Sequence, residues 1–372
     1  MKKYLQGFIK EKKIKIRNQN VDFIRILGML AIILHHLLLH GRVLSKYEKY
    51  KQLKLLNILT LWHVNSFGMV SGIVGYKTHK FSNLLYLWLS VEFYSILFYI
   101  MYNKIKKPIF KENFIGHLFP VIFNKYWYFS SYFGIYPFLP FINSGISLLS
   151  QIEVKKSMYF MIGIFLIWAY YYQDPFSLQN GYSPISLLIY YIFGAYFGKY
   201  VLIKKLKTIK KIIICMICSF IFIVISIICY QVNILNYYSK IYPRIRKLLR
   251  VGINSVPMTL QLFAIVMFVA QLKFDKYLTY LCISIGPLTF DVYLIHENTF
   301  VRAIYIRNLF NKTSKRLLLN QIIILCFKRT IYIFTFCIFI SYFKNLIFRI
   351  LKIKNICIFL ESRATKIINY LI

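Results

Sequence analysis

Long runs of apolar residues, separated by short basic and polar clusters, dominate the chain. A helix that crosses a bilayer needs roughly 20 mostly apolar residues, and about ten runs approach that length. Their cores lie at 21–39, 58–76, 83–102, 126–143, 157–172, 185–201, 212–230, 256–272, 281–299 and 321–343. Pro137 and Pro140 interrupt the fourth core and Pro287 the ninth, so neighbouring groups must satisfy the freed carbonyls there. The pattern predicts an all-α, polytopic integral membrane bundle of about ten transmembrane helices.

The composition of the chain restricts its expected environment and binding partners. The chain has 372 residues, of which 59% are hydrophobic and 16% charged, with a formal net charge of +37. A nucleic-acid binder or a disordered basic tail would combine such a charge with far fewer apolar residues. We therefore expect membrane lipids, and no nucleic acid, as partners of the basic loops. The cysteines lie in or beside apolar runs and Cys215-x-x-Cys218 lacks a second pair, so no metal site is predicted.

Basic residues also indicate the topology. The two densest basic blocks, 2–17 and 199–211, lie on the same side when the N-terminus is inside, which favours a cytoplasmic N-terminus. Apart from Lys199, which begins the second basic block at the end of the core 185–201, the basic residues inside the predicted cores are Arg25, Lys328 and Arg329. We divide the chain into a basic cytoplasmic segment (1–20), a transmembrane domain (21–345) and a basic C-terminal segment (346–372). The predicted location is the cell membrane, the inner membrane where there are two, in multi-pass form.

The first apolar run carries a polar stripe. At about 100° per residue, one helix face presents Asp22, Arg25, Met29, Ile32, His36 and His40. Eleven residues separate Arg25 from His36, which is about 16 Å along the helix axis. A charge at this depth costs on the order of 2.5 to 3.5 kcal/mol, so the stripe should face protein or a watery cavity. Alternatively, Asp22 and Arg25 pair near one interface while the histidines lie at the other.

Four segments resemble the membrane acyltransferase-3 family. Arg25-x10-His36 is similar to the Arg-x10-His motif of that family's first helix. Further similar stretches are Asn65 to Gly72, Tyr126 to Asn143 with its aromatic cluster and Pro140-Phe141-Ile142-Asn143, and Phe290 to Asn298, which contains Val292-Tyr293-Leu294-Ile295-His296. The family's paired-arginine motif near the third helix is absent here, where Glu92 is the only charge. This departure suggests the smaller, stand-alone subgroup without an appended soluble transferase domain.

The resemblance implies a bacterial surface-glycan O-acyltransferase. Its expected co-substrate is cytosolic acetyl-CoA or another acyl-CoA, with no tightly bound cofactor. The expected acceptor is a hydroxyl of a capsular, exopolysaccharide or other surface glycan, free or lipid-linked. A histidine suits the base that deprotonates this hydroxyl, and His36 is the candidate. Guanidinium groups match phosphate oxygens, so Arg25 is expected to hold the nucleotide end of the donor as part of the catalytic site.

Further residues are candidates for substrate contact or support. Glu92, His296 and Glu297 are ionisable groups inside predicted spans, and such groups are often functional. Because His296 and Glu297 are adjacent, they point about 100° apart and cannot both face one cavity squarely. Each has a structural alternative: helix-joining contacts for the last two, and an ion pair with Arg25 or Lys328 for Glu92. The remaining candidates are Asp22, His35, Ser71 and Trp127, for which ion pairing, packing, small-residue helix contacts and an interfacial aromatic belt are the alternatives.

Two other functions fit parts of the pattern. A transporter or polymerase of lipid-linked glycans has similar helix counts and basic loops, and would use Arg25 and Glu92 as pathway residues. A non-catalytic membrane scaffold would need none of these side chains. Neither alternative gives His36 a chemical role.

Overall fold

A computed structural model describes residues 18–77, 79–104, 114–169, 174–202 and 252–371, with a few isolated positions between 209 and 224. Every regular element in these ranges is helical, which confirms the all-α prediction. The α-helices are α1 (Gln19–Leu39), α2 (Val43–Lys46), α3 (Lys51–Thr60), α4 (His63–Gly75), α5 (Phe81–Lys104), α6 (Phe114–Leu118), α7 (Trp127–Ile135), α8 (Leu139–Leu148), α9 (Gln151–Met161), α10 (Pro184–Tyr196), α11 (Val256–Gln271), α12 (Lys276–Ile285), α13 (Thr289–His296), α14 (Thr299–Tyr305), α15 (Leu319–Ile350) and α16 (Ile353–Leu371).

Five helical stretches are long and apolar enough to cross a membrane. They are Gln19–Leu39, Lys51–Gly75, Phe81–Lys104, Lys276–His296 and Leu319–Ile350. In the predicted core at 126–143, the 3₁₀ segment Tyr136–Phe138 joins α7 to α8. In the cores at 157–172 and 185–201, α9 and α10 continue as π-helix at Ile162–Trp168 and Phe197–Val201. The core at 256–272 contains a 16-residue helix. The core at 212–230 lies largely outside the described residues. A membrane protein is thus supported, while the count of about ten spans stays a prediction.

Helix α1 is the central element of the bundle. Asn18 caps its first turn, because its side chain accepts hydrogen bonds from the backbone N–H groups of Asn20 and Val21. The Asn20 side chain donates to the carbonyls of Val269 and Leu272 at 2.6 and 2.9 Å, at the end of α11. Helices α3, α4, α11, α12, α13 and α15 all contact α1. Most of α1 is thereby buried against neighbouring helices.

Glycines allow α4 and α10 to pack closely. A β-carbon at Gly72 would collide with the carbonyl of Tyr191, and one at Gly194 would collide with the carbonyl of Met69. Small residues permit such close backbone approach between membrane helices. Gly72 is therefore a packing residue, which leaves the neighbouring Ser71 as the member of this pair with access to a cavity.

The prolines break helices where the sequence predicts it. A short 3₁₀ segment, Tyr136–Phe138, contains Pro137. A second, Gly286–Leu288, contains Pro287 and lies inside the Lys276–His296 stretch. At the second break, the backbone N–H and the hydroxyl of Thr289 both donate to the carbonyl of Gly286, the hydroxyl at 2.8 Å. A β-carbon at Gly286 would press on the side chain of Asp22. The break therefore lies directly against the polar stripe of α1.

The C-terminal region contains two further helices. Helix α15 continues through the predicted domain boundary at 345 to Ile350. After Lys352, α16 lies along α5, and the Glu361 carboxylate accepts a hydrogen bond from the backbone N–H of Phe81 at 2.7 Å. This contact caps the start of α5.

Candidate active site

A small cavity surrounds His36 between α1, α4, α7 and α13. Its volume is about 50 Å³, and its walls are mainly aromatic and apolar. Met29, Ile32 and His36 of α1 line it. The C-terminal half of the predicted stripe therefore forms one wall of the cavity. The remaining lining comes from His63, Val64, Phe67, Trp127, Tyr128, Tyr182, Phe290, Tyr293 and Glu297. His36 thus faces a largely apolar chamber whose other histidine and carboxylate groups are His63 and Glu297.

Glu297 stands beside His36. Nδ1 of His36 lies 2.8 Å from Oε1 of Glu297, and the other carboxylate oxygen lies 3.2 Å from a guanidinium nitrogen of Arg302. The two side chains are 15% and 12% exposed, so little water competes for this contact. A carboxylate in this position can orient an imidazole and stabilise its protonated form.

Three further histidines lie close to His36. His296 is fully buried, and its ring centre lies 5.4 Å from that of His36. It does not line the cavity, whereas Glu297 does, as the 100° offset between them predicts. The ring centres of His40 and His35 lie 5.4 and 6.0 Å from that of His36. Partial burial lowers the pKa of His40, just beyond the end of α1, below its usual value of 6.5.

A larger cavity contains Arg25. Its volume is about 450 Å³, and it extends between α1, α4, α7, α10 and the break at Gly286. Nη1 of Arg25 lies 2.6 Å from Oδ1 of Asp22, which is fully buried, while Arg25 itself is 23% exposed. Asp22 is held against Gly286, where no larger residue fits without displacing it. Asp22 therefore fixes one side of the Arg25 guanidinium, and the other side faces the cavity.

The two cavities share a wall. Phe67, Tyr128 and Phe290 line both. The rings of Phe67 and Tyr128 meet edge to face at 6.2 Å, and the Tyr128 backbone N–H donates to the Tyr293 hydroxyl at 3.3 Å. A narrow aromatic partition therefore separates the Arg25 cavity from the His36 chamber.

The remaining candidates divide into two groups. Ser71 lines the large cavity and Trp127 the small one, where its ring contacts Tyr182 edge to face at 4.9 Å. His35 turns away from both cavities; it is buried, with its ring 4.9 Å from that of His63.

Glu92 belongs to the second group, because it lines neither of these cavities. Its Oε1 is shielded from solvent and makes no hydrogen bond with the residues that the structure describes. Within the same part of the chain, no ion pair joins it to Arg25 or Lys328. The structure therefore gives no support to the alternative that pairs Glu92 with one of these cations.

Sequence reasoning missed one buried cation. The last predicted core ends at 343, but α15 extends past Lys344 and buries it to 3% exposure. Nζ of Lys344 lies 2.9 Å from Oδ1 of Asp291 and 3.2 Å from the Ser90 hydroxyl. In contrast, Lys328 and Arg329, which the hydropathy pattern places inside that core, lie on the exposed surface of α15. A helical wheel extended by one turn would have placed Lys344 on the buried face.

The comparison with protein families agrees with the geometry. The family model described as an acyltransferase domain, that of the acyltransferase-3 family, matches residues 18–350. This match covers most of the chain and every residue of both cavities, so the chain belongs to the acyltransferase-3 family. Together with the five apolar helices, membership identifies a membrane acyltransferase. No curated protein and no solved structure matches the chain significantly.

Proposed function

We propose that this protein transfers an acetyl group from cytosolic acetyl-CoA to a hydroxyl of a cell-surface glycan. The observation that carries the proposal is the arrangement of Arg25 and His36. They lie on one face of α1 and line two cavities that share the wall of Phe67, Tyr128 and Phe290. A donor with an anionic end and a reactive thioester end matches a site with a cation in one cavity and a base in the next.

His36 serves as the general base. With Nδ1 beside Glu297, Nε2 is the nitrogen left to accept the proton of the acceptor hydroxyl. The oxygen then attacks the thioester carbonyl carbon, and the tetrahedral intermediate collapses with cleavage of the C–S bond. The proton passes from His36 to the departing thiolate, which leaves as coenzyme A. Glu297 stabilises the imidazolium during these steps, and the apolar chamber excludes competing water.

Arg25 binds the phosphates of the donor. Its guanidinium is part-exposed in the 450 Å³ cavity, and planar guanidinium groups form paired hydrogen bonds with phosphate oxygens. The buried Asp22 holds the Arg25 guanidinium in place and so keeps it oriented toward the cavity. The thiol arm of the donor would pass the aromatic partition to reach His36.

The small chamber favours a short acyl group. A water molecule needs about 10 to 15 Å³ of such a cavity, so 50 Å³ holds roughly four heavy atoms. The reactive end of an acetyl thioester, with its carbons, oxygen and sulfur, is of that size. Phe67, Phe290 and Trp127 line this chamber and would bound the acyl group.

The protein acts in the cell membrane with its N-terminus in the cytoplasm. The basic residues that precede α1 suit the cytoplasmic side, and this orientation turns the Arg25 end of the helix toward the pool of acyl-CoA. The glycan, free or lipid-linked, would approach His36 from the opposite side.

Replacement of His36 by Asn tests the function in cells. A strain that produces the acceptor glycan is complemented with the wild-type chain or with His36→Asn, and both O-acetyl content and total surface glycan are measured. We expect acetylation to disappear while glycan amount stays normal. Loss of the polymer itself would instead support a glycan transporter or polymerase. If neither the purified wild type nor the Arg25→Ala variant transfers label from radioactive acetyl-CoA, the result would support a non-catalytic scaffold.

A further inference from the structure

Three buried ligand atoms lie close together beside the small cavity: Nδ1 of His36, Nε2 of His296 and Oε1 of Glu297. These residues form a group whose ligand atoms all lie within 4.8 Å of one another. Nδ1 of His36 and Oε1 of Glu297 contact each other at 2.8 Å. Nε2 of His296 is shielded from solvent and makes no hydrogen bond with the described residues. An unsatisfied buried polar atom is costly, so its position beside this pair indicates a missing partner.

His296 is prepared to act as a ligand. Its Nδ1 lies 2.6 Å from the carbonyl oxygen of Val292, and this contact requires a proton on Nδ1. In the neutral ring, Nε2 then carries a lone pair, and it is this atom that is buried without a hydrogen bond from the described residues. A backbone carbonyl that fixes the second nitrogen in this way is typical of metal-bound histidines. Arg302 similarly holds the other carboxylate oxygen of Glu297, at 3.2 Å.

We propose that His36, His296 and Glu297 bind a transition-metal ion of the Zn²⁺ type. Two imidazoles and one carboxylate are a donor set that zinc accepts, and its fourth position would face the small cavity. Ligand atoms in a tetrahedral zinc site lie about 3.4 Å apart, which falls between the closest contact of 2.8 Å and the 4.8 Å limit of the group. Small side-chain rotations are therefore sufficient to bring the three atoms to a common ion.

Metal at this site inhibits acyl transfer. The ion would bind Nδ1 of His36 and the carboxylate of Glu297. This pair of residues could then no longer take up and release the proton of the acceptor hydroxyl. This second part of the inference rests on the proposed function, whereas the binding of the ion does not. The metal-free chain is the active form and Zn²⁺ its competitor.

Calorimetric titration of the metal-stripped, full-length protein in detergent tests binding without any enzymatic assay. Titration with Zn²⁺ is expected to give one strong site per chain, and titration with Mg²⁺ none, because imidazole ligands disfavour Mg²⁺. His296→Asn and Glu297→Gln should each weaken Zn²⁺ binding about tenfold or more. His79→Asn, at a histidine of the large cavity, is the matched control and should bind as the wild type does.

Thermal unfolding without metal shows whether each variant is folded, and added Zn²⁺ should raise the midpoint for the wild type and His79→Asn only. Zn²⁺ binding that both ligand variants retain, or equal binding of Mg²⁺, would overturn the site. In acetyl transfer, micromolar Zn²⁺ should inhibit the wild type, and a chelator should restore its activity. Activity that falls on chelation would overturn the inhibitory role while leaving the site intact. An inactive wild type that still binds Zn²⁺ would refute the proposed function alone.

Discussion

The ion pairs of Arg25 with Asp22 and of Lys344 with Asp291 differ in what surrounds them. Arg25 and Asp22 are 2.6 Å apart at the wall of the large cavity, with Arg25 23% exposed. Lys344 and Asp291 are 2.9 Å apart with 3% and 5% exposure. Lys344 also contacts the Ser90 hydroxyl, and its ammonium lies over two aromatic rings, those of Tyr86 and Phe348. The first pair borders space that a ligand can enter, whereas the second is enclosed by α5, α13 and α15.

The difference separates a binding group from a structural one. Both cations are costly within a membrane span, and each is neutralised by an aspartate. Only the Arg25 pair borders a cavity large enough for a substrate. The Lys344 pair holds α13 against its neighbours, and the end of α13 in turn presents His296 and Glu297 to His36. Burial of a charge alone therefore does not identify a functional residue here.

Breaking the enclosed pair should produce the largest effect, and it should fall on stability. Lys344→Met leaves Asp291 buried without its cation, which costs about 3 to 5 kcal/mol. We expect a strong loss of unfolding free energy and of yield from the membrane, measured by thermal unfolding in detergent. The double variant Lys344→Met with Asp291→Leu removes both charges and should recover most of that loss. A single variant as stable as the wild type would refute the structural role.

Glu297 is a further intramembrane acid, and like Arg25 it borders a cavity, in its case the small one. Glu297→Gln keeps the shape but loses the charge that stabilises protonated His36. We expect kcat for acetyl transfer to fall on the order of 10²-fold with KM for acetyl-CoA little changed. Steady-state kinetics in detergent measure both. An equal rise of KM would instead place Glu297 in donor binding.

The substitution Arg25→Lys tests the ion pair of Arg25 and Asp22, which borders the large cavity. Lysine keeps the charge but cannot form the paired hydrogen bonds of guanidinium with phosphate. We expect KM for acetyl-CoA to rise about tenfold, equivalent to about 1.4 kcal/mol, with a normal unfolding midpoint. A shift in stability as large as that of Lys344→Met would show that both pairs are structural, and the comparison would fail.

The partition between the two cavities is predicted to affect the choice of acyl donor. Phe67→Ala enlarges the His36 chamber on the side that it shares with the Arg25 cavity. The relative kcat/KM for butyryl-CoA over acetyl-CoA should rise about tenfold, the range expected for added methylenes in an apolar pocket. Phe141→Ala, which truncates an exposed aromatic side chain of α8, is the matched control and should leave this ratio as it is. Unchanged selectivity in Phe67→Ala would remove this residue from the acyl site.

The helical class and the stripe of α1 could be predicted because both depend on local periodicity. Arg25, Met29, Ile32 and His36 line the two cavities as that periodicity requires. Periodicity could not reveal the contact between His36 and Glu297, which joins residues far apart in the chain. Lys344 escapes prediction for a different reason, since the hydropathy pattern ends the last core just before it. The pairing of buried charges depends on how helices pack against one another. This packing cannot be predicted from the sequence of any single apolar run.

The central claim is that Arg25 and His36 act on opposite ends of one acyl-CoA. Binding of a non-transferable acetyl-CoA analogue and transfer from acetyl-CoA can be measured on the same preparations of wild type, Arg25→Ala and His36→Asn. We expect Arg25→Ala to lose binding, and His36→Asn to bind the analogue normally while transferring no acetyl group. Normal analogue binding by Arg25→Ala, or normal transfer by His36→Asn, would contradict the claim.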